Sequence, residues 1–172
     1  RKIAGGDVFE TKLKALELGR QSDLYLTINV VLNRLNLEYL DEIISLSASF
    51  EPDKIELANC QYHGWALKNR EALLPSKTQI TGAHGIYQDW QKKLPDKVEL
   101  VWVYSDYYTD YPKPCMGGWA QRQMTVTPSG LALPCPDAAM IENLVFENVK
   151  DTDLRTIWYD SPGFNAFRGF DW

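Results

Sequence analysis

The chain has 172 residues, 45% apolar and 24% charged, with 18 basic against 23 acidic residues for a net charge of −5. This is a globular composition of one-domain length, and its basic residues are scattered (Lys12, Lys14, Lys68, Arg70, Lys92, Lys93), which argues against a nucleic-acid partner. No apolar run approaches the roughly 20 residues of a membrane span, no signal peptide opens the chain, and three cysteines are too few for a disulfide scaffold. A cytoplasmic protein with no membrane contact is expected.

Asp7 and Glu10 have capping-box spacing, and Phe9, Leu13 and Leu16 then share a helical face until Gly19. Leu24, Leu26, Ile28, Val30 and Leu32 alternate with Tyr25, Thr27, Asn29 and Val31, which predicts a strand over 24–32 with apolar residues on much of both faces. Asn36 is placed to cap a second helix with Leu37, Leu40, Ile44 and Phe50 inward. A second strand is expected over 55–60. Ser76 and Gln79 form another capping box, before a stripe of Ile80, Ala83, Tyr87, Trp90 and Leu94 that Pro95 stops. Residues 98–103 read as a third strand. Alternating helix and strand predicts a parallel α/β layer with right-handed crossovers.

Beyond Val103 the character changes. Residues 104–114, rich in tyrosine and proline, read as a linker between a first domain over 1–103 and a second over 115–172. There, 123–127 and 131–134 read as strands of a hairpin turning at Pro128-Ser129-Gly130, followed by two short helices. The first starts at Asp151 or Thr152, and the second is opened by Ser161-Pro162 and closed by Gly169. The hairpin brings Cys115 and Cys135 toward one open end, an arrangement suited to starting an iron–sulfur cluster whose other ligands lie elsewhere. Buried small side chains or a disulfide are the ordinary alternatives for both.

Cys60 reads as a core thiol, and His63 and His84 lack the spacing of a zinc motif. Asn29 and Gln61 are polar residues in or just after apolar strands, where α/β barrels bind ligands. Satisfying nearby backbone groups would also account for them, as packing would for Tyr62 and Trp65. No phosphate loop, nucleophile elbow or catalytic Cys–His signature is present.

Several motifs occur together. The runs Asn59-Cys60-Gln61-Tyr62-His63-Gly64-Trp65-Ala66-Leu67-Lys68-Asn69-Arg70, Pro112-Lys113-Pro114-Cys115-Met116-Gly117-Gly118-Trp119 and Thr127-Pro128-Ser129-Gly130 through Cys135, with Ile157-Trp158, Phe164, Phe167, Arg168 and Gly169, resemble the PqqE family. These are radical S-adenosylmethionine (SAM) peptide cyclases of pyrroloquinoline quinone biosynthesis, and the resemblance extends over essentially the whole chain. It implies the C-terminal part of a radical SAM partial (β/α) barrel followed by the start of a SPASM domain. Cofactors implied for the parent enzyme are a 4Fe-4S cluster with SAM and auxiliary iron–sulfur clusters, with Cys115 and Cys135 as metal ligands and Asn29 and Gln61 lining the SAM and substrate cavity. Implied partners are the PqqA precursor peptide, in which a glutamate and a tyrosine become joined by a carbon–carbon bond, and the PqqD peptide chaperone. The family's C-x-x-x-C-x-x-C motif is absent from these residues, so this chain by itself is expected not to cleave SAM. Another SPASM-type peptide-modifying enzyme, or a non-catalytic α/β binding domain with structural cysteines, are the alternatives.

Overall fold

The computed structural model describes residues 5–62, 64–108, 110 and 118–169. The chain divides into two compact units, 1–109 and 110–172.

In the first unit the described elements run α1 (Phe9–Arg20), β1 (Thr27–Leu32), a 3-10 turn (Leu37–Tyr39), α2 (Leu40–Ser49), β2 (Lys54–Asn59), α3 (Gly64–Lys68), α4 (Arg70–Leu73), α5 (Lys77–Lys93) and β3 (Glu99–Val103). The strands form a parallel sheet, as the alternation of helix and strand predicts, and their order is β1-β2-β3. The register aligns Ile28, Ile55 and Leu100 in one row and Val30, Leu57 and Trp102 in the next. These side chains share a face because side-chain direction alternates along a strand, and Val30, Ile55, Leu57, Leu100 and Trp102 pack with Leu40 and Ile44 of α2 and Ile80 and Ala83 of α5 in one core. Full burial of Ile44, Ile55 and Leu57 accounts for about 2 kcal/mol each relative to exposure.

Helix α5 has the cap its sequence calls for: Ser76 Oγ accepts from the Gln79 N–H at 3.2 Å, and Gln79 Oε1 accepts from the Ser76 N–H at 2.9 Å. Three other local expectations fail. The cap position of α1 falls on Val8, with no side-chain cap bond, and the helix buries no residue fully; Phe9 is 53% exposed. Asn36 makes no cap bond either, because its carboxamide is drawn back to the strand end: Oδ1 accepts from the Asn33 N–H and Nδ2 donates to the Val31 carbonyl. The first strand begins at Thr27, leaving Leu24 and Tyr25 exposed. Its second face is exposed and mixed, with Thr27 and Asn29 beside an exposed Val31, since α2 and α5 cover only the other one. There Asn29 stands beside Glu56, which Lys54 reaches at 3.4 Å.

The second unit is built around a short hairpin, β4 (Thr125–Val126) with β5 (Ala132–Leu133), antiparallel and shorter than the sequence suggests. Gly130 at φ 96° closes the turn: its N–H donates to the Thr127 carbonyl, and the Thr127 N–H to that of Leu131. Residues 147–149 lie alongside, with the Ala132 N–H donating to Glu147 and the Val149 N–H to Gly130. Helix α6 (Leu154–Asp160) is capped by Asp153, two residues beyond Asp151, because the Asp153 carboxylate accepts from the Thr156 N–H at 3.0 Å. Helix α7 (Pro162–Asn165) is capped by Ser161 as expected. Trp119, Leu133, Ile157 and Phe164 form the core.

Candidate functional site

Ligands of parallel α/β sheets bind beyond the carboxyl ends of the strands. At that end of β1 lies a groove of about 750 Å³, lined by Asn29, Asn33, Leu35, Asn36, Cys60 and Leu73, with Phe9 and Lys12 of α1 also contributing. Its volume suits a small-molecule ligand or part of a larger one.

The loop leaving β1 is held by asparagines. Asn33 is 3% exposed, and its Oδ1 accepts from the Leu35 N–H at 2.9 Å. With the two bonds of Asn36, this fixes 33–36 as a tight turn and holds both asparagines at the groove. Cys60 follows β2, its N–H bonded to the Leu32 carbonyl at 2.9 Å. It is half-buried, and burial pushes its thiol pKa up, so the neutral form prevails.

Asn29 lines this groove from the open face of β1, and its Nδ2 donates to Glu56 Oε1 at 2.9 Å. Gln61 is exposed one residue past Cys60 and is not among the groove's lining residues. Tyr62 turns inward: it is 8% exposed, stands edge-on to Tyr107 at 5.1 Å, and its hydroxyl has no hydrogen-bond partner among the described residues. Desolvation raises its pKa well above the usual phenol range. Asn59 accepts from the Trp102 indole N–H at 2.8 Å, while its own Nδ2 has no partner among the same residues. Trp65 does not pack; it is 79% exposed, with the Lys68 ammonium 4.7 Å from its ring centre. His84 is half-buried beside Tyr87, Trp102 and Tyr104, and His63 lies outside the described residues.

Sequence reasoning passed over Asn33 and Arg34 and read Asn36 only as a helix cap. The signal available was a polar run, Asn33-Arg34 with Asn36, directly after an apolar strand.

In the second unit Cys135 follows β5, half-buried against the core and free of any disulfide. Cys115 lies outside the described residues. The chain that leads away from it is firmly anchored from Trp119 onward. The Trp119 indole donates to the Gly163 carbonyl at 3.0 Å, and Arg168 donates to the Ala120 carbonyl through Nε at 3.2 Å and Nη2 at 2.9 Å. Arg168 also reaches the Trp158 carbonyl at 2.6 Å. Among the described residues no group of three or more histidine, cysteine or acidic side chains could hold a metal. The described donor set is thus one thiol, that of Cys135, where an iron–sulfur cluster ordinarily takes a full set of cysteine ligands. Among the same residues no helix is long and apolar enough to cross a membrane.

Residues 115–172 match the SPASM family model, an iron–sulfur cluster-binding domain. The chain is 44% identical over 170 residues to the PqqA peptide cyclase of Streptomyces rochei, covering 99% of this chain and 47% of that protein. It is 40% identical to the PqqA peptide cyclase of Rhizobium meliloti (strain 1021), covering 95% and 44%, and 44% identical to that of Gluconobacter oxydans (strain 621H), covering 94% and 44%. The chain therefore spans less than half the length of these relatives. Its fold is similar to Streptococcus suis SuiB, at a TM-score of 0.66 and 17% identity over 94% of this chain and 40% of that one. A SuiB structure with S-adenosylmethionine bound is similar at a TM-score of 0.65 and 18% identity, again over 94% of this chain and 39% of the other.

Proposed function

We propose that this chain, a homologue of the PqqA peptide cyclases, is part of a longer radical SAM enzyme that joins a glutamate and a tyrosine of the PqqA precursor peptide by a carbon–carbon bond. The observation that carries the reading is identity of 40–44% extending over 94–99% of the chain, through both compact units rather than the SPASM domain alone. PqqD presents the peptide in this reading.

The first unit contributes the wall of the SAM and substrate cavity, with Asn29 and Asn33 offering carboxamides at the groove and Gln61 standing at the neighbouring strand end. A carboxamide both donates and accepts, which suits a ligand bearing carboxylate, amine and hydroxyl groups. The second unit contributes Cys115 and Cys135 as thiolate ligands of an auxiliary iron–sulfur cluster, which supplies electron-transfer capacity when bound. The remaining ligands come from outside these residues. Trp119 and Arg168 fix the backbone that follows Cys115, and the β4–β5 hairpin fixes the backbone that precedes Cys135.

The test uses the complete enzyme, reconstituted anaerobically with iron and sulfide and given SAM, a strong reductant and PqqA. The expected products are 5′-deoxyadenosine and a peptide lighter by the mass of two hydrogens. Cys115→Ala and Cys135→Ala should each lower the bound iron. No 5′-deoxyadenosine above a protein-free control would overturn the proposed reaction, and unchanged iron in both variants would overturn the ligand assignment.

A further inference from the structure

In the segment 64–75 the helices α3 and α4 have little apolar burial to hold them in place, although Pro75 at the segment's end is buried. Neither helix buries a residue fully, Trp65 and Leu67 are exposed, and the segment begins at Gly64 with φ 50°. Its far end is nevertheless tied down through four hydrogen bonds to main-chain carbonyls, and three of them come from one residue. The Arg34 N–H donates to the Leu73 carbonyl at 2.8 Å, Nε to the Leu74 carbonyl at 2.9 Å, and Nη1 to the Glu71 carbonyl at 2.8 Å. The fourth is the Tyr108 hydroxyl, donating to the Pro75 carbonyl at 3.1 Å. The last carbonyls of a helix have no partner within it, so the end of α4 presents acceptors that a guanidinium fork can satisfy.

This clamp joins two walls of the groove. Asn33 and Leu35, on either side of Arg34, line one wall, and Leu73, which the Arg34 main-chain N–H holds while the guanidinium holds Glu71 and Leu74 to either side of it, lines another. We propose that Arg34 is a positioning residue that fastens the 64–75 segment to the end of β1 and so sets the width of the groove. Its effect on a bound ligand rests on the function proposed above, while the clamp itself does not. Lysine keeps the charge but has a single nitrogen, which cannot donate to the Glu71 and Leu74 carbonyls in the guanidinium geometry.

The test compares Arg34→Lys with the unmodified complete enzyme by hydrogen exchange and steady-state kinetics. Arg20→Lys, which alters a surface contact with Glu51, is the control. Exchange at the amides of Ala72, Leu73 and Leu74 should accelerate about 10-fold or more, with the amides of β1, β2 and β3 unchanged. The KM for peptide should rise roughly 10-fold with kcat within about twofold, the signature of lost uniform binding rather than lost chemistry. Tyr108→Phe, which removes only the Pro75 bond, should accelerate the same three amides by about threefold, and it decides the matter if Arg34→Lys destabilises the whole sheet. Unchanged exchange at 72–74 in both variants overturns the clamp. Faster exchange there with unaltered KM and kcat overturns the positioning role. Absence of SAM cleavage by the unmodified enzyme would count against the proposed function alone, because exchange still decides the clamp.

Discussion

Replacing Gly130 by alanine tests the architecture of the hairpin that carries Cys135. Two costs combine. The residue sits at φ 96°, where a side chain is disfavoured by about 1–2 kcal/mol. A Cβ built there would also lie 2.4 Å from Asn148 Oδ1, inside any tolerable contact. Asn148 could swing away only by giving up two hydrogen bonds, Nδ2 to the Ser129 carbonyl and Oδ1 from the Lys150 N–H, both 3.0 Å. Because these bonds are exposed, they contribute about 0.5 kcal/mol each, at the low end of the usual range. The total is roughly 2–3 kcal/mol, which corresponds to about 30- to 150-fold faster exchange of amides released by opening of this unit. The Thr127, Ala132 and Val149 amides, all bonded across the hairpin or its flank, are the probes for a hydrogen-exchange measurement. Gly85→Ala in α5 is the opposite case, since nothing lies within 4 Å of its added Cβ and the backbone is helical. It should stabilise the first unit by about 1 kcal/mol. Acceleration of less than about threefold at the three hairpin amides of Gly130→Ala would refute the steric argument, since threefold is about 0.6 kcal/mol.

Trp102→Phe keeps most of the ring packing but removes the donor to Asn59 Oδ1, leaving a side chain 4% exposed with no partner at either end among the described residues. A loss of about 1–3 kcal/mol is expected in urea unfolding, and a change under about 0.5 kcal/mol would show that the bond contributes nothing net. The first unit should also be alkali-sensitive. Burial raises the pKa of Cys60 above its ordinary 9.0 and those of Tyr62, Tyr104 and Tyr108 above 10.0. Groups whose folded pKa is raised hold protons more tightly in the folded state, so their contribution is present below the ordinary values and is lost as pH climbs past about 9 to 10. Thermal unfolding between about pH 8 and 11 should show a falling melting temperature, and Tyr62→Phe should flatten the decline; a flat profile in the unmodified protein would contradict the burial of these groups.

Some local patterns were sufficient, though the Asp7 and Glu10 spacing, equally local, did not place the cap of α1. The Ser76 and Gln79 box, the stripe from Ile80 to Trp90 and the Pro128-Ser129-Gly130 turn each depend on residues within a few positions of one another, and each forms as its pattern dictates. The parallel direction of β1, β2 and β3 was legible for a related reason, because helical crossovers between apolar strands leave few other ways to pack. Asn36 shows the limit even at short range, since a carboxamide can serve a helix end or a strand end, and the loop geometry assigned it to the strand. Asn29 and Gln61 looked equivalent as polar residues at strands, yet of the two Asn29 lines the groove; Asn29 lies within β1, whereas Gln61 lies past the end of β2. Arg34 was invisible in the sequence as anything but a surface cation. Its side-chain partners lie 37 and 40 residues away and are main-chain carbonyls, which every residue type presents alike, so no pattern of side chains could announce them. Only the folding of 64–75 back across the end of the sheet brings the guanidinium to the helix terminus whose carbonyls it satisfies.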